Sequence, residues 1–463
     1  MFSVEEIARI VGGELAGCGT AVPKGFAADS RRVAPGHLFF ALSGAKADGY
    51  AFVGDAFSRG ASAAVVAQPS QPPPGRGLIV VRDVGSALQM LARAWRARFC
   101  IPIVAITGSN GKTTTKALVA HFAGRTFRTY AAPENYNTEI GLPLALLDMP
   151  ADAELGVFEL GADRPGDIAP LAKLLRPTTA ILTSVGPSHL ERFKTTTAVA
   201  EEKWNLVRSL PPTARAFVNA DSTELRALAA ANPSGVLVTA GLAHGAVRAR
   251  LLAAVPRLAL AVDEPPLSLK TALVGEQNGT NLLLAALCAA SLGVAPATLE
   301  ERAGTFRPVA HRMEVRAARF GVLIDDVYNA NPASMSAALR ALALFSDRSA
   351  KRAVVFGDML GLGERAEALH DDVARLALEL PIGLVYPVGE LARAAFAARN
   401  DERVRILARE DIAVDLVGRW ARERDAAVLV KGSRGVRLED LVDAILRAAP
   451  ASRKAGRAAP YDS

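Results

Sequence analysis

The chain has 463 residues, of which 50% are hydrophobic and 22% charged, with a formal net charge of +7. That balance excludes a disordered chain and leaves room for roughly two to four packed domains. No apolar run reaches the roughly 18 residues of a membrane-spanning helix. The arginines form no basic stripe interleaved with aromatics, so neither membrane insertion nor nucleic-acid binding is expected.

Met1 to Gly13 reads as an amphipathic helix carrying Val4, Ile7, Ala8, Ile10 and Val11, broken by Glu5 and Glu6. It lacks the basic start and apolar core of a secretion signal, so a cytoplasmic location is expected. Cys18, Cys100 and Cys288 show no metal spacing and read as small buried hydrophobes in a reducing compartment. Residues 1–98 make a first block. In it Asp29-Ser30-Arg31 precedes the turn Pro35-Gly36 and a buried strand through Leu42. Phe52 to Ser58 and Ser86 to Phe99 are expected helices, Ala63 to Val66 and Leu78 to Val81 strands, and Gln68 to Gly77 an exposed Pro-rich loop. Arg31 either grips a phosphate or is simply solvated.

Residues 99–308 form the second block, organised around Ile103 to Thr114. Ile101 to Ile106 is too short for a helix interior and suits a buried parallel strand. Thr107, Gly108, Ser109, Asn110, Gly111 and Lys112 follow. The glycines permit a tight turn and let backbone N–H groups approach a ligand. From Lys112 the pattern is helical, so a helix N-terminus faces whatever the loop holds. Lys112 supplies a positive charge, and Thr113, followed by Thr114, a hydroxyl suited to magnesium. Together these read as a triphosphate cradle. The loop is shortened, with Ile106 where the usual P-loop has a further glycine. The competing reading is an ordinary strand-to-helix turn with a solvated lysine.

Phe127 to Ala131 reads as a strand leading into the polar loop Pro133 to Pro143, where Asn135, Asn137 and Thr138 suit a polar ligand or an Asx-turn. Leu155 to Leu160 is a strand with Glu159 at its C-terminal end, where a magnesium ligand is wanted. Thr179 to Val185 is another, followed by His189, a metal ligand or a hydrogen-bonded structural residue. Lys203 lies on a helix from Thr197 to Leu210, two residues past Glu201, and composition reads it as solvated. Arg215 to Asn219 and Gly235 to Thr239 are further strands. Arg248 to Val255, Leu258 to Val262 and Leu267 to Val274 read as short antiparallel strands. Gly275 to Asn281, with Asn278, reads as the cap of an apolar helix over Leu282 to Leu292.

Residues 309–449 form the third block. Val322 to Ile324, Val354 to Phe356, Leu384 to Val388 and Ala427 to Val430 read as strands, with Asp326, Asp358 and Lys431 on their ligand edge. A helix is expected from Pro332 to about Phe345. Residues 450–463 read as a disordered tail. Alternating strands and helices predict an α/β protein of three domains: a small N-terminal α/β domain, a central doubly wound, mostly parallel sheet around the P-loop, and a C-terminal Rossmann-like domain.

Five stretches in order carry a resemblance to the Mur ligase family over nearly the whole chain, Asp29 to Arg437. They are TGSNGKTT (Thr107 to Thr114), NYNTEIGLP (Asn135 to Pro143), DDVYNANP (Asp325 to Pro332), GDMLGLGERAEALH (Gly357 to His370) and VKGSRG (Val430 to Gly435). The resemblance implies a UDP-substrate domain over 1–98, with Ser30 and Arg31 in its site, an ATP domain over 99–308 and a ligase domain over 309–449. It implies Lys112 on the terminal phosphates of ATP, held in the loop Thr107 to Thr114. Thr113 and Glu159 would hold one magnesium ion and His189 a second. Lys203 would be carbamylated and bridge toward magnesium, against the solvated reading. Lys112, His189 and Lys203 would thus be catalytic. Asn278 and Asn281 would meet adenine, Arg312 and Asp326 the ATP phosphate and ribose, and Asn135, Asn137 and Thr138 the muramyl-peptide. The chain departs from the family pattern at Gln277, at Thr183-Ser184 and at Gly361.

The activity so implied is an ATP-dependent amide ligase of cytoplasmic peptidoglycan precursor synthesis, serving cell shape and division. ATP would phosphorylate the terminal carboxylate of UDP-N-acetylmuramoyl-tripeptide, and the amine of D-alanyl-D-alanine would capture the acyl phosphate. A monomer is expected. Three rivals are another Mur ligase adding a single amino acid, a P-loop phosphotransferase and a silent nucleotide-binding protein. The DDVYNANP and GDM stretches argue against the first. The second leaves the Asn135 loop and the first block unexplained, and the metal-binding set argues against the third.

Overall fold

A computed structural model describes residues 1–44, 48–346 and 349–447. The expected tail at 450–463 lies outside the described residues. Three sheets follow one another along the chain. The first holds β1 (Glu14–Gly17), β2 (Gly25–Ala27), β3 (His37–Phe40), β4 (Ala63–Val66) and β5 (Gly77–Val80), ordered β1-β5-β4-β3-β2. All its pairings are parallel except β1 with β5. The reading above missed β1 and β2, which are four and three residues long and too short to show an alternating pattern.

The middle sheet holds β6 (Ile103–Thr107), β7 (Thr129–Ala131), β8 (Leu155–Glu159), β9 (Thr179–Leu182), β10 (Arg215–Asn219), β11 (Leu237–Gly241), β12 (Val247–Ala253), β13 (Leu258–Val262) and β14 (Leu267–Thr271). Its order is β14-β13-β12-β11-β10-β9-β6-β8-β7. β6 lies between β8 and β9, parallel to both, and all five of its residues are buried. A strand covered on both faces has to be apolar throughout, which is why Ile103 to Ile106 carries no alternation. The β12–β14 end is antiparallel and half-solvated, and β14 alternates buried Leu267, Leu269 and Thr271 with exposed Ser268 and Lys270. The third sheet orders β15 (Glu314–Ala318), β16 (Gly321–Asp326), β19 (Ala426–Lys431), β17 (Arg352–Gly357) and β18 (Leu384–Val388), parallel but for β15. The fold is thus α/β with three sheets, the fold class expected.

The first and middle sheets share one hydrophobic core, running from Val4 and Trp95 to Ile103 and Phe158. The Trp95 indole N–H donates to the Met149 carbonyl at 3.1 Å. The buried Arg96 guanidinium donates to the carbonyls of Leu175, Phe99 and Arg176 at 2.7, 2.8 and 3.0 Å. Three bonds from one buried cation bolt the junction near Phe99. The third sheet has two core clusters of its own. Its seam with the middle unit runs through the four-residue helix Leu190–Phe193, which contributes Leu190 to the third unit's core, the one that holds Met359 and Leu362, while Phe193 belongs to the shared core of the other two units.

No helix among the described residues is long and apolar enough to cross a membrane. Among the three free cysteines only Cys288 is buried; Cys18 is half-buried and Cys100 exposed, which corrects the expectation for those two.

Candidate active site

The site is built where β6 ends. Thr107 is fully buried, and its hydroxyl donates to the Leu160 carbonyl at 2.9 Å. The turn that follows leaves no room for side chains. A Cβ on Gly108 would lie 1.9 Å from Thr183 Oγ1, and one on Gly111, at φ 85°, would lie 2.4 Å from Asn281 Oδ1. Thr183 and Ser184 tie the loop down. The Thr183 hydroxyl donates to the carbonyls of Thr107 and Asn110 at 3.2 and 2.6 Å. The Ser184 carbonyl accepts from Ser109 N–H at 2.7 Å, and its hydroxyl accepts from Asn110 N–H at 3.0 Å. The pair that departs from the family pattern is therefore the loop's scaffold.

The helix Lys112–Ala123 starts at Gly111 with no side-chain cap. Its first N–H groups are left for a ligand, with the positive end of the helix dipole behind them. Lys112 Nζ donates to the Gly108 carbonyl at 2.7 Å, and burial holds its pKa below lysine's usual value. Thr113 and Thr114 are buried beneath it.

Glu159, at the end of β8, is 4% exposed. Its partner is Lys116, one helical turn beyond Lys112, at 3.1 Å from Oε1. That oxygen makes no hydrogen bond. Lys116 also donates to the Ala132 carbonyl at 2.5 Å. No local pattern marked Lys116, yet it is the cation paired with Glu159 in the core.

His189 has a left-handed backbone, φ 52°, and its exposed imidazole Nε2 lies 3.4 Å from Asp163 Oδ1. Partial desolvation lowers its pKa; Asp163 opposes this, and Lys203 and Lys112 reinforce it. Lys203 is 3% exposed on the helix Thr196–Arg208, which overturns the solvated reading. Burial, with the nearby Lys112 charge, brings its pKa down to about 7. Its neighbour Glu202 also faces inward and accepts from the N–H groups of Gly166 and Ile168 at 2.8 and 2.7 Å. The composition of Glu201-Glu202-Lys203 suggests a wet face; packing divides it, leaving Glu201 outside with Arg208.

Asn278 and Asn281 are not in a capping loop. The helix spans Gln277–Ser291 and both sit buried in its first turns, because its apolar face extends back to Asn278. Asn278 Nδ2 donates to the Val274 carbonyl, and Asn281 Nδ2 to Asn278 Oδ1.

The third unit completes the cavity. Arg312 lies between left-handed His311 and Met313 and stacks over the Tyr328 ring at 3.8 Å, with its buried Nε unpartnered. Asp326 accepts from Lys431 Nζ at 2.6 Å and from Met313 N–H at 3.1 Å. Burial raises its pKa and Lys431 opposes that. Tyr328 Oη hydrogen-bonds Asn135 Oδ1 across the seam.

One cavity of about 1310 Å³ connects these groups. Ser109 to Thr114, Asn135, Asn137, Thr138, Glu159, His189, Asn278, Asn281, Arg312 and Asp326 all line it. It exceeds the usual ~300–1,000 Å³ of a single-ligand pocket. Thr107, Gly108 and Lys203 lie behind its wall. Ser30 and Arg31 are elsewhere: Ser30 is buried in the first unit, and exposed Arg31 holds Asp29 through two bonds of 2.9 and 2.7 Å. The first unit approaches the Asn135 loop through Arg32 instead, stacked over Tyr136 at 5.3 Å. Asp358 is also outside, capping the helix Glu390–Ala397 through Ala392 N–H at 2.8 Å. Among the described residues no three His, Cys, Asp or Glu side chains converge as a metal cage.

Three family models match the chain: Mur ligase family, catalytic domain, over 24–96; Mur ligase middle domain over 106–289; and Mur ligase, glutamate ligase domain, over 311–434. The UDP-N-acetylmuramoyl-tripeptide–D-alanyl-D-alanine ligase of Treponema pallidum is 34% identical over 437 residues, covering 90% of this chain and 92% of its own. A crystal structure of MurF from Acinetobacter baumannii superposes with a TM-score of 0.86 at 25% identity, covering 96% of this chain and 99% of that one. MurF ligase from Thermotoga maritima, solved with ADP, gives 0.79 at 27% identity, covering 92% and 97%.

Proposed function

From the premise that the chain belongs to the Mur ligase family, we propose the following working of its cavity. The protein is an ATP-dependent ligase that joins D-alanyl-D-alanine to the peptide carboxylate of UDP-N-acetylmuramoyl-tripeptide, in cytoplasmic peptidoglycan precursor synthesis. The observation that carries this is the single large cavity in which the glycine loop, the Asn135 loop and the Arg312–Tyr328 face of the third unit meet. A phosphate donor, a peptide acid and an incoming amine all have walls there.

The glycine loop and the helix start at Lys112 hold the ATP phosphates, and Asn278 and Asn281 stand on the adenine side. A carboxylate oxygen of the peptide attacks the γ-phosphorus, and the bond to the ADP oxygen breaks. Two anions must meet, so Lys112 and Arg312, whose Nε has no hydrogen-bond partner, neutralise the developing charge. The amine of D-alanyl-D-alanine then attacks the acyl carbon, loses a proton, and phosphate leaves. Water has to be excluded meanwhile, which the docked third unit achieves. Asn135, Asn137 and Thr138 hold the muramyl-peptide, and Ser30 and Arg31 the uridine end. Asp326 faces the ribose.

Thr113 and Glu159 would hold a magnesium ion, which when bound neutralises phosphate charge and polarises the transferring group. The buried Glu159 Oε1, which makes no hydrogen bond and faces Lys116 Nζ at 3.1 Å, fits such a ligand. ATP oxygens would complete the shell, as is usual for magnesium. His189 would hold a second ion. Lys203 supports carbamylation: a neutral amine is required to attack CO2, losing a proton to form the carbamate, and burial supplies that neutral amine near pH 7.

Phosphate release from ATP tests the assignment. It should require both purified UDP-N-acetylmuramoyl-tripeptide and D-alanyl-D-alanine. Release with a single amino acid in place of the dipeptide would favour a different Mur ligase, and no release at all a silent nucleotide binder.

A further inference from the structure

The backbone of Asn110 is held within the middle unit, by Ser184 and Thr183. Its side chain leaves that unit. It meets Asn331, 221 residues further on, in a reciprocal pair: Asn331 Nδ2 donates to Asn110 Oδ1 at 2.7 Å, and Asn110 Nδ2 donates to Asn331 Oδ1 at 3.4 Å. Asn331 is 9% exposed and Asn110 half-buried, and both line the large cavity. Asn331 is itself fixed. It is the N-cap of the helix Pro332–Ala343, with Oδ1 accepting from Ser334 N–H at 2.9 Å and its own N–H donating to Ser334 Oγ at 3.0 Å. The glycine loop is thus fastened to a rigid helix start in the third unit. A reciprocal amide pair has one register, and a shift of about an ångström in either unit weakens both bonds together.

We propose that Asn331 is a positioning residue for the phosphoryl-transfer step. It acts through Asn110 and holds the glycine loop in working geometry only while the third unit is docked. Misplacement of a phosphate cradle by about an ångström is enough to cost large factors in rate. Tyr328 makes the matching contact to Asn135 at the peptide end, so docking is sensed at both reactants. The inference rests on the ligase reading above.

Asn331→Ser tests it. Serine keeps an N-cap oxygen for Ser334 but is too short to reach Asn110. kcat should fall about tenfold, the loss expected for a broken buried bond pair. The affinity for ADP, measured by calorimetry, should fall less than about threefold, and the melting temperature should hold. Asn331→Asp also caps the helix and keeps the acceptor for Asn110 Nδ2 but loses the 2.7 Å donor, so its kcat should fall between those of the parent and Asn331→Ser. Asn110→Ala should lower kcat, and the Asn110→Ala, Asn331→Ser double variant should be no slower than the slower single. Additive losses overturn the proposal. So does a wild-type kcat in either Asn331 variant, or a fall in ADP affinity as large as the fall in kcat. Failure of the ligase reading looks different: the unaltered enzyme would then release phosphate without needing the dipeptide.

Discussion

Replacing Lys203 by methionine separates what the buried amine costs from what it does. Lysine titrates ordinarily at 10.5, and at this position burial and the Lys112 charge bring it to about 7. Folding then disfavours the protonated form. At roughly 1.4 kcal/mol per tenfold change in proton affinity, the full difference is at most about 5 kcal/mol. The sign follows from linkage. The folded pKa is depressed, so the penalty is fully present below about pH 7, shrinks as pH rises, and is gone above about 10.5. Methionine keeps the stem without the charge. In CO2-free, magnesium-free buffer, Lys203→Met should therefore be more stable than the parent by several kcal/mol near about pH 6–7, while losing turnover. Urea midpoints across the pH series measure the gap. Bicarbonate should narrow it, because carbamylation of the native lysine favours the folded state by mass action. A variant less stable than its parent at neutral pH, or a gap indifferent to rising pH, would refute the reasoning.

Lys112→Ala should reduce kcat by at least about 100-fold, because the γ-phosphate charge loses its nearest cation; phosphate release at the parental rate would remove the loop assignment. Gly111→Ala puts a methyl 2.4 Å from Asn281 Oδ1 on a left-handed backbone. The expected loss is about 1–3 kcal/mol in urea unfolding, with weaker ADP binding by calorimetry. Glu202→Gln weakens the acceptor for Gly166 and Ile168 N–H at the start of the helix Ile168–Leu175; about 1–2 kcal/mol of stability should go, and an unchanged midpoint would show that bond pair to be incidental. Lys203→Ala should regain part of its activity with short carboxylic acids, which imitate a carbamate; full activity without them would sink the carbamate.

The readings that survived contact with the structure are those in which local chemistry decides. Ile103 to Lys112 is legible because a strand buried on both faces must be apolar, and a loop that wraps phosphate must have glycine where Thr183 and Asn281 press against it. Readings failed where the decisive contact is distant. Lys203 looks wet beside Glu201 and Glu202 until the helix turns two of the three inward. Asn278 looks like a cap because polar residues favour helix ends, but Val274 and Asn281 satisfy its amide inside the helix. Lys116 carried no signal, and Asn331 none beyond its place in the DDVYNANP stretch, since each matters through a residue on another element. Near Phe99 the buried Arg96 ties three carbonyls together, Phe99 itself and two far along the chain, a link no local pattern announces.

The short helix Leu190–Phe193 serves two cores at once, with Leu190 among Met359 and Leu362 and Phe193 on the far side. A small apolar inhibitor wedged against Leu190 would prise the units apart without touching a phosphate, a peptide or a base. Raising the concentration of any reactant would not relieve such a blockade, and resistance would require one substitution to repack two interiors together.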